Sequence, residues 1–378
     1  MRLNRLKYIL VAAFSTLLIN FSAAQDTHGP APHDTEKGGT HETEEKFKPG
    51  EVLMEHILDA YEFHFFSYKG DDGKEHHATI PLPVILYRND SGLDVFMSSN
   101  FNHGHDTYKG YGLYNGKIKA ANADGTANES ISVLDLSMTR NVVQMILALI
   151  VLVLIMTSIA RKYKRNGAKK APSGLQNAIE PVITFVRDEV GKSNLGKKYE
   201  KYMPYLLTVF FFILINNLFG LIPGSANVTG NIAFTVVLGV ISFIAILLSS
   251  NSHFWAHIFN PPVPGAVKPI MVIVELLGVF TKPFALIIRL FANMVAGHMI
   301  ITCLILLIFI FGGMAAPAGW GFSPISIAFT VFIYCIEILV AFIQAFIFTN
   351  LTAVFISQAF EGGHHEDEHG HVHEEVIA

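Results

Sequence analysis

Two apolar stretches in the second half of the chain constrain its fold more than any other feature. One runs from about Ile270 to Phe311 and the other from about Ile325 to Phe360. A helix rises about 1.5 Å per residue, so forty residues make a rod about 60 Å long, roughly twice the hydrocarbon thickness of a bilayer. A single upright span is excluded. Each stretch must either break, with Pro283 as a possible kink point in the first, or tilt strongly. The Gly/Pro-rich "GGMAAPAGWGFSP" between them predicts a turn.

Shorter runs complete a membrane domain over 139–361. "NVVQMILALIVLVLIMTSIA", from Asn141 to Ala160, has the length of one span and is followed at once by the basic "RKYKRNGAKK". Positive loops stay cytoplasmic, so this helix is expected to run inward. "SGLQNAIEPVITFVRDEVG" is amphipathic and too polar to span, which predicts a helix lying on the membrane surface. Tyr205 to Pro223 is expected to cross outward and Asn231 to Ser250 to return. The next loop, "NSHFWAHIFNPPVPGAVKP", places Trp255 and Lys268 where interfacial anchors belong. The expected fold is an all-α polytopic membrane protein with about five membrane helices, two of them long and tilted. It carries a small, strand-rich, exported N-terminal domain.

The N-terminal third supports that last element. Arg2, Arg5 and Lys7 precede an apolar run that ends at Ser22-Ala23-Ala24, the pattern of a secretory signal peptide over 1–24. Residues 25–46 are polar and His-rich and predict a disordered lead-in. Residues 47–136 have the composition of a soluble domain. Within them "EVLMEHILDAY" suggests a short amphipathic helix. Strands are expected on either side of an Asp72-Gly73 turn, and another turn and strand in "RNDSGLDVFMSS". With the N-terminus outside and five crossings, the C-terminus is cytoplasmic and the protein sits multi-pass in the cell inner (plasma) membrane. The tail 362–378 carries His364, His365, His369, His371 and His373 among acids and predicts a solvated, disordered segment.

Composition narrows function further. The chain is 51% hydrophobic and 15% charged, with a net charge of −4, and its mean hydropathy is +0.41. Nothing points to nucleic acid, and no phosphate-binding glycine loop appears, so no cofactor is expected. Cys303 and Cys335 lie in apolar runs and predict reduced, buried thiols.

The polar residues inside the long runs are the informative ones: Glu275, Lys282, Arg289, Asn293, His298, Glu337 and Gln344. Ionisable groups at such depth are costly and by default mark an ion or proton path. At 100° per residue Arg289 and Asn293 share a face, with Glu275 on the same side and His298 near the opposite one. Glu337 and Gln344, seven apart, form a stripe on the last helix. Histidine titrates near neutrality and a carboxylate can be shifted to meet it. Arginine keeps its proton, so it can attract a carboxylate and block a proton but not relay one. Lys282 reads as interfacial. Asn216 and Asn217 either line an outer vestibule or cap their helix near Pro223.

"LIIRLFANMVAGH", followed some forty residues later by "EILVAFIQAFIFTNLTAVFIS", resembles the a subunit of the membrane (Fo) sector of rotary F-type ATP synthases. "GLQNAIE", "NLFGLIP" and the spacing from Glu275 to Lys282-Pro283 add to the resemblance, which covers about 139–361. It implies a proton-translocating stator subunit that is not an enzyme by itself. Its implied partners are a c-subunit ring, b-type peripheral stalk subunits and the rest of the complex. It implies Arg289 as the proton gate and Glu275 in the cytoplasmic half-channel. Asn293 and Gln344 would lie beside the arginine, and His298 with Glu337 in the opposite half-channel. In well-known bacterial members that last pair carries the two residue types exchanged. The alternative reading is a histidine-rich divalent-metal transporter, suggested by the tails but lacking metal-ligand spacing within the spans. A plain membrane anchor for the exported domain leaves Arg289, His298 and Glu337 without a purpose.

Overall fold

The structure, a computed structural model, describes residues 59–69 and 75–361, apart from 105, 115, 123, 167–173, 223, 262, 265, 266 and 315. The expected signal peptide, the lead-in, most of the "EVLMEHILDAY" helix, the Asp72-Gly73 turn and the tail lie outside these residues.

The N-terminal unit is built of short antiparallel strands, as expected. β1 (Glu62–Lys69) pairs with β2 (Glu75–Pro81). The chain leaves this strand at Leu82. There the Leu82 amide donates to Tyr61 O at 3.3 Å and to Ser98 Oγ at 3.1 Å. A second sheet then forms from β3 (Pro83–Arg88) and β4 (Gly92–Met97), joined by β7 (Leu134–Asp135) on the other side of β3. Gly92, at φ +78°, closes the β3–β4 turn, a conformation that a Cβ disfavours. β5 (Tyr111–Tyr114) and β6 (Lys117–Ala120) make a hairpin. Val84, Leu86, Phe96, Phe101, Tyr111 and Ile118 form the core of the unit. Asp94 accepts from Tyr111 Oη at 3.0 Å and from Lys109 Nζ at 3.3 Å. The hydrogen bond from Tyr111 above all holds its carboxyl below the usual range. Tyr61 donates to Asp135 Oδ2 at 2.5 Å, and burial first, then that carboxylate, raises the phenol pKa above its ordinary value.

The unit feeds directly into the helices. The Arg140 amide donates to Ala60 O at 2.9 Å as α1 (Arg140–Asn166) begins. α2 (Leu175–Phe185) continues through a π-helical turn, Val186–Lys192, to Leu195. Gly196, at φ +51°, and a 3₁₀ turn to Lys198 lead into α3 (Tyr199–Gly220). α4 (Ile232–Ser249) starts where Asn231 caps the Ala233 amide at 2.9 Å. α5 (Ser252–Phe259), α6 (Lys268–Met314) and α7 (Ala316–Glu361) follow. Five helical runs are long and apolar enough to cross a membrane, in agreement with the expected number.

Of the two ways left open for the long runs, breaking is excluded: α6 passes through Pro283 as one helix of 47 residues, and α7 has 46. At about 70 Å each, they are left with strong tilt as the way to fit a bilayer. Other expectations need correction. The expected turn "GGMAAPAGWGFSP" is mostly helix: α6 runs on to Met314, and α7 begins at Ala316 and contains Pro324. The loop after α4 contains α5, and Trp255 is buried, with its indole N–H donating to Ser250 Oγ at 2.9 Å. The amphipathic segment of α2 and its π-helical continuation also packs on the chain: Val186 and Val190 of the π turn are buried, and Phe185 at the end of α2 meets the rings of Phe342 and Phe346 on α7. Cys303 and Cys335 are free thiols but exposed, because the helices that carry them turn those faces away from the rest of the chain.

α6 and α7 form an antiparallel hairpin. Near its tip Phe311 packs on Phe322, with ring centroids 4.8 Å apart, and a Cβ on Gly319 would meet the Gly312 backbone. Lipid is as apolar as leucine, so close approach and internal polar contacts drive such packing. Many buried residues of α7 fit that rule: Ala341, Ala345, Thr349, Thr352, Ala353, Ser357 and Ala359 are small, alongside the larger Phe348 and Ile356. α3 packs against α7 and α4 crosses α6, where Gly239 lies against Ile287.

Candidate functional site

The polar groups of the hairpin are arranged by its register. Lys282 on α6 donates to Gln358 Oε1 on α7 at 2.8 Å and lies over the Phe355 ring. It is therefore a helix-to-helix contact. Further along, Asn293 Nδ2 donates to Gln344 Oε1 at 2.8 Å. One turn later the Glu337 carboxylate rests on the α6 backbone at Gly297, where a Cβ would overlap it. Nearer the tip Ser326 Oγ donates to Leu304 O at 2.5 Å. Each contact steps up one helix as it steps down the other, as an antiparallel pair requires.

Arg289 sits one turn before Asn293, half-buried. Among the described residues it enters no ion pair, and the acidic groups of the hairpin lie elsewhere. Glu275 is fourteen residues earlier, about 21 Å along the helix. The Glu337 carboxylate meets Gly297, eight residues on. A permanent cation thus stands on an apolar hairpin without a carboxylate of the described residues paired to it. Gln344, 2% exposed, is fixed against Asn293 next to it.

The sequence reading placed Glu337 and Gln344 on one stripe, and the structure puts both on the face that meets α6. Glu337 reaches α6 one residue before His298, which is half-buried. Glu275 is half-buried on α6, far from these pairs. Asn216 and Asn217 are fully buried within α3 and do not cap it. Asn216 Nδ2 donates to Phe212 O at 2.8 Å in its own helix, and Asn217 Nδ2 to Ala341 O on α7 at 3.2 Å. Ala341 lies between Glu337 and Gln344, so Asn217 braces that stripe from behind. The Oδ1 atoms of both asparagines are buried without a hydrogen-bond partner.

Other participants were not foreseen. Gly297 was hidden because a glycine in an apolar helix says nothing about which side chain occupies its gap. Its position just before His298 was the available signal. The loop after α3 also reaches the site: Asn227 Nδ2 donates to Met294 O at 3.2 Å, and Gln144 of α1 exchanges hydrogen bonds with Ala226. Gln144, an amide within an otherwise apolar span, could have signalled that contact.

Residues 142–357 match the family described as ATP synthase A chain. The chain belongs to that family. The ATP synthase subunit a of Chloroherpeton thalassium is 46% identical over 242 residues, covering 63% of this chain and 71% of the relative. That of Myxococcus xanthus is 42% identical over 250 residues, covering 64% and 79%. ATP synthase subunit a 2 of Chlorobium luteolum is 36% identical over 367 residues, covering 95% and 87%, so its likeness extends through the β-sheet unit. That unit matches a separate family over 52–136, a Domain of unknown function (DUF8433). As an ATP synthase A chain the protein translocates protons in the membrane sector, and the chemistry on ATP belongs to the other sector of the enzyme. The metal-transporter reading is not supported. Among the described residues no group of three His, Cys, Asp or Glu side chains could hold a metal.

Proposed function

We propose that Arg289 is the electrostatic gate between two proton half-channels and that its mobile partners are carboxylates of a rotating c ring. The observation that carries this reading is the solitary guanidinium on the apolar hairpin, with the Asn293–Gln344 pair beside it. A carboxylate that has taken up a proton is neutral and can travel through lipid. When it comes opposite Arg289 the ionised form is favoured, and the proton leaves. Because Arg289 keeps its own proton, it separates the two half-channels.

Glu275 serves the cytoplasmic half-channel in this reading, and His298 with Glu337 the opposite one. Asn293 and Gln344 fix the surface next to the arginine. Asn216 and Asn217 carry buried oxygens without protein partners, which suits a wetted wall behind Glu337. The basic run after α1 supports a cytoplasmic position for that end, and the leader expected over 1–24 supports a β-sheet unit on the other side of a cell inner membrane. b-type stalk subunits hold the chain against the ring.

Passive proton conductance of inverted vesicles, normalised to assembled complex, tests the gate. Arg289→Ala is expected to abolish proton-driven synthesis and open a leak. A tight membrane with synthesis intact rejects the proposal.

A further inference from the structure

The β4–β3–β7 sheet is apolar on its outward face as well as on its core face. An antiparallel sheet with one face on its own core normally turns polar side chains to water on the other. Here the inward side of β4 carries Asp94, held by Tyr111 and Lys109, next to the core residue Phe96. The outward side carries Leu93, Val95 and Met97, and the cross-strand register sets Tyr87 beside Leu93 and Leu134. Leu93 is 62% exposed, and Val95, Leu134 and Leu136 are each 56% exposed. A contiguous apolar sheet face of this kind marks an interaction site.

We propose that this face seats the β-sheet unit in the interfacial zone of the bilayer, so that lipid is its occupant. The argument is continuity with the membrane-spanning surface. Leu134, Leu136 and Met138 alternate along one extended strand and share a side. The pairing continues past β7, since the Leu136 amide donates to Ile85 O at 2.9 Å and the Met138 amide to Pro83 O at 3.2 Å. Two residues after Met138 the chain enters α1, whose Leu147, Ile150 and Leu154 are exposed apolar side chains. A tether of two residues leaves no room for a water layer between the strand and the membrane. The sheet's apolar side and the helix's lipid side then form one surface, with Tyr87 the kind of ring that membrane interfaces favour. Seated in this way, the unit fixes the entry of α1 as a membrane-surface foot.

The test uses the full chain in its assembled complex, carrying Cys303→Ser and Cys335→Ser and reconstituted into phosphatidylcholine–phosphatidylglycerol vesicles. A nitroxide is placed at Val95→Cys, and independently at Leu134→Cys. Glu129→Cys, an exposed partner of Lys119, is the control. Collision with oxygen, which concentrates in lipid, and with a water-soluble nickel chelate reports the surroundings. Both sheet labels are expected to meet the nickel chelate severalfold less often than the control and oxygen more often. Labels as accessible to the chelate as the control overturn the proposal. Immobile labels shielded from both reagents also overturn it and identify a protein partner on the face.

Discussion

Gly297 and Glu337 share one space: the carboxylate of α7 occupies the position where any other residue on α6 would put its Cβ. The hairpin can bring a buried acid against its own backbone only because position 297 has no side chain.

Gly297→Ala should therefore displace Glu337. Overpacking costs about 1–3 kcal/mol, and if about 1.4 kcal/mol of that reaches the transfer barrier, proton flux slows about tenfold. Adding Glu337→Asp, which withdraws the carboxylate by one methylene, should recover part of the flux. Flux in vesicles for the four combinations decides the matter, and an unchanged rate in Gly297→Ala would show that the acid is not in the path.

Asn293 and Gln344 should separate stability from function. Asn293→Leu alone strands the buried Gln344 amide, at a cost of about 1–3 kcal/mol, and should lower the amount of complex in the membrane. Asn293→Leu with Gln344→Leu removes both polar ends and should restore assembly. Coupled ATP synthesis should stay low in the double variant if the pair orders the surface beside Arg289. Full recovery of synthesis would reduce the pair to a fastener.

Arg289→Lys distinguishes a gate from a helix contact. Lysine keeps a charge but lacks the planar, permanently protonated fork, and it can lose its proton when buried. Synthesis should fail, with a smaller leak than in the alanine variant. Normal synthesis per assembled complex in the lysine variant would refute the gate.

Tyr61 predicts an alkaline weakness in the β-sheet unit. Its folded pKa is raised above the ordinary tyrosine value, so the folded state binds its proton more tightly than the unfolded chain does. That stabilisation is complete below about pH 10, the unfolded value, and falls as pH rises past it. Tyr61→Phe should cost about 1 kcal/mol by deleting the bond to Asp135 and should flatten the alkaline decline. Proteolytic sensitivity of residues 62–135 in the solubilised protein, followed against pH, measures both. A decline equally steep in the phenylalanine variant would exclude Tyr61 as its source.

The membrane elements could be read from the sequence because a span needs a fixed length of apolar residues. The expected Asn231–Ser250 run differs from α4 by one residue at each end. The polar set was legible for the same reason, since charges stand out against an apolar background. Helix continuity was not. Proline and glycine weaken a helix in water, but the folded hairpin supplies neighbours that carry it through Pro283 and Pro324. Asn227 gave no signal and Gly297 only its place before His298, because their roles depend on which helix arrives opposite them. The exposure of Cys303 and Cys335 was misjudged because apolar sequence marks burial in water, whereas a membrane helix turns such residues outward.

The contacts that lock α6 to α7 at Lys282–Gln358, Asn293–Gln344, Gly297–Glu337 and Leu304–Ser326 have a mechanical meaning. Sliding one helix past the other by a single residue would break all four together, so the hairpin resists shear along its whole length as one beam. In the proposed gate, a charge carried past Arg289 pushes against a surface that does not yield. Under load, strain is stored in whatever moves past the beam or in whatever anchors its ends, and the spacing between the two proposed half-channels stays constant.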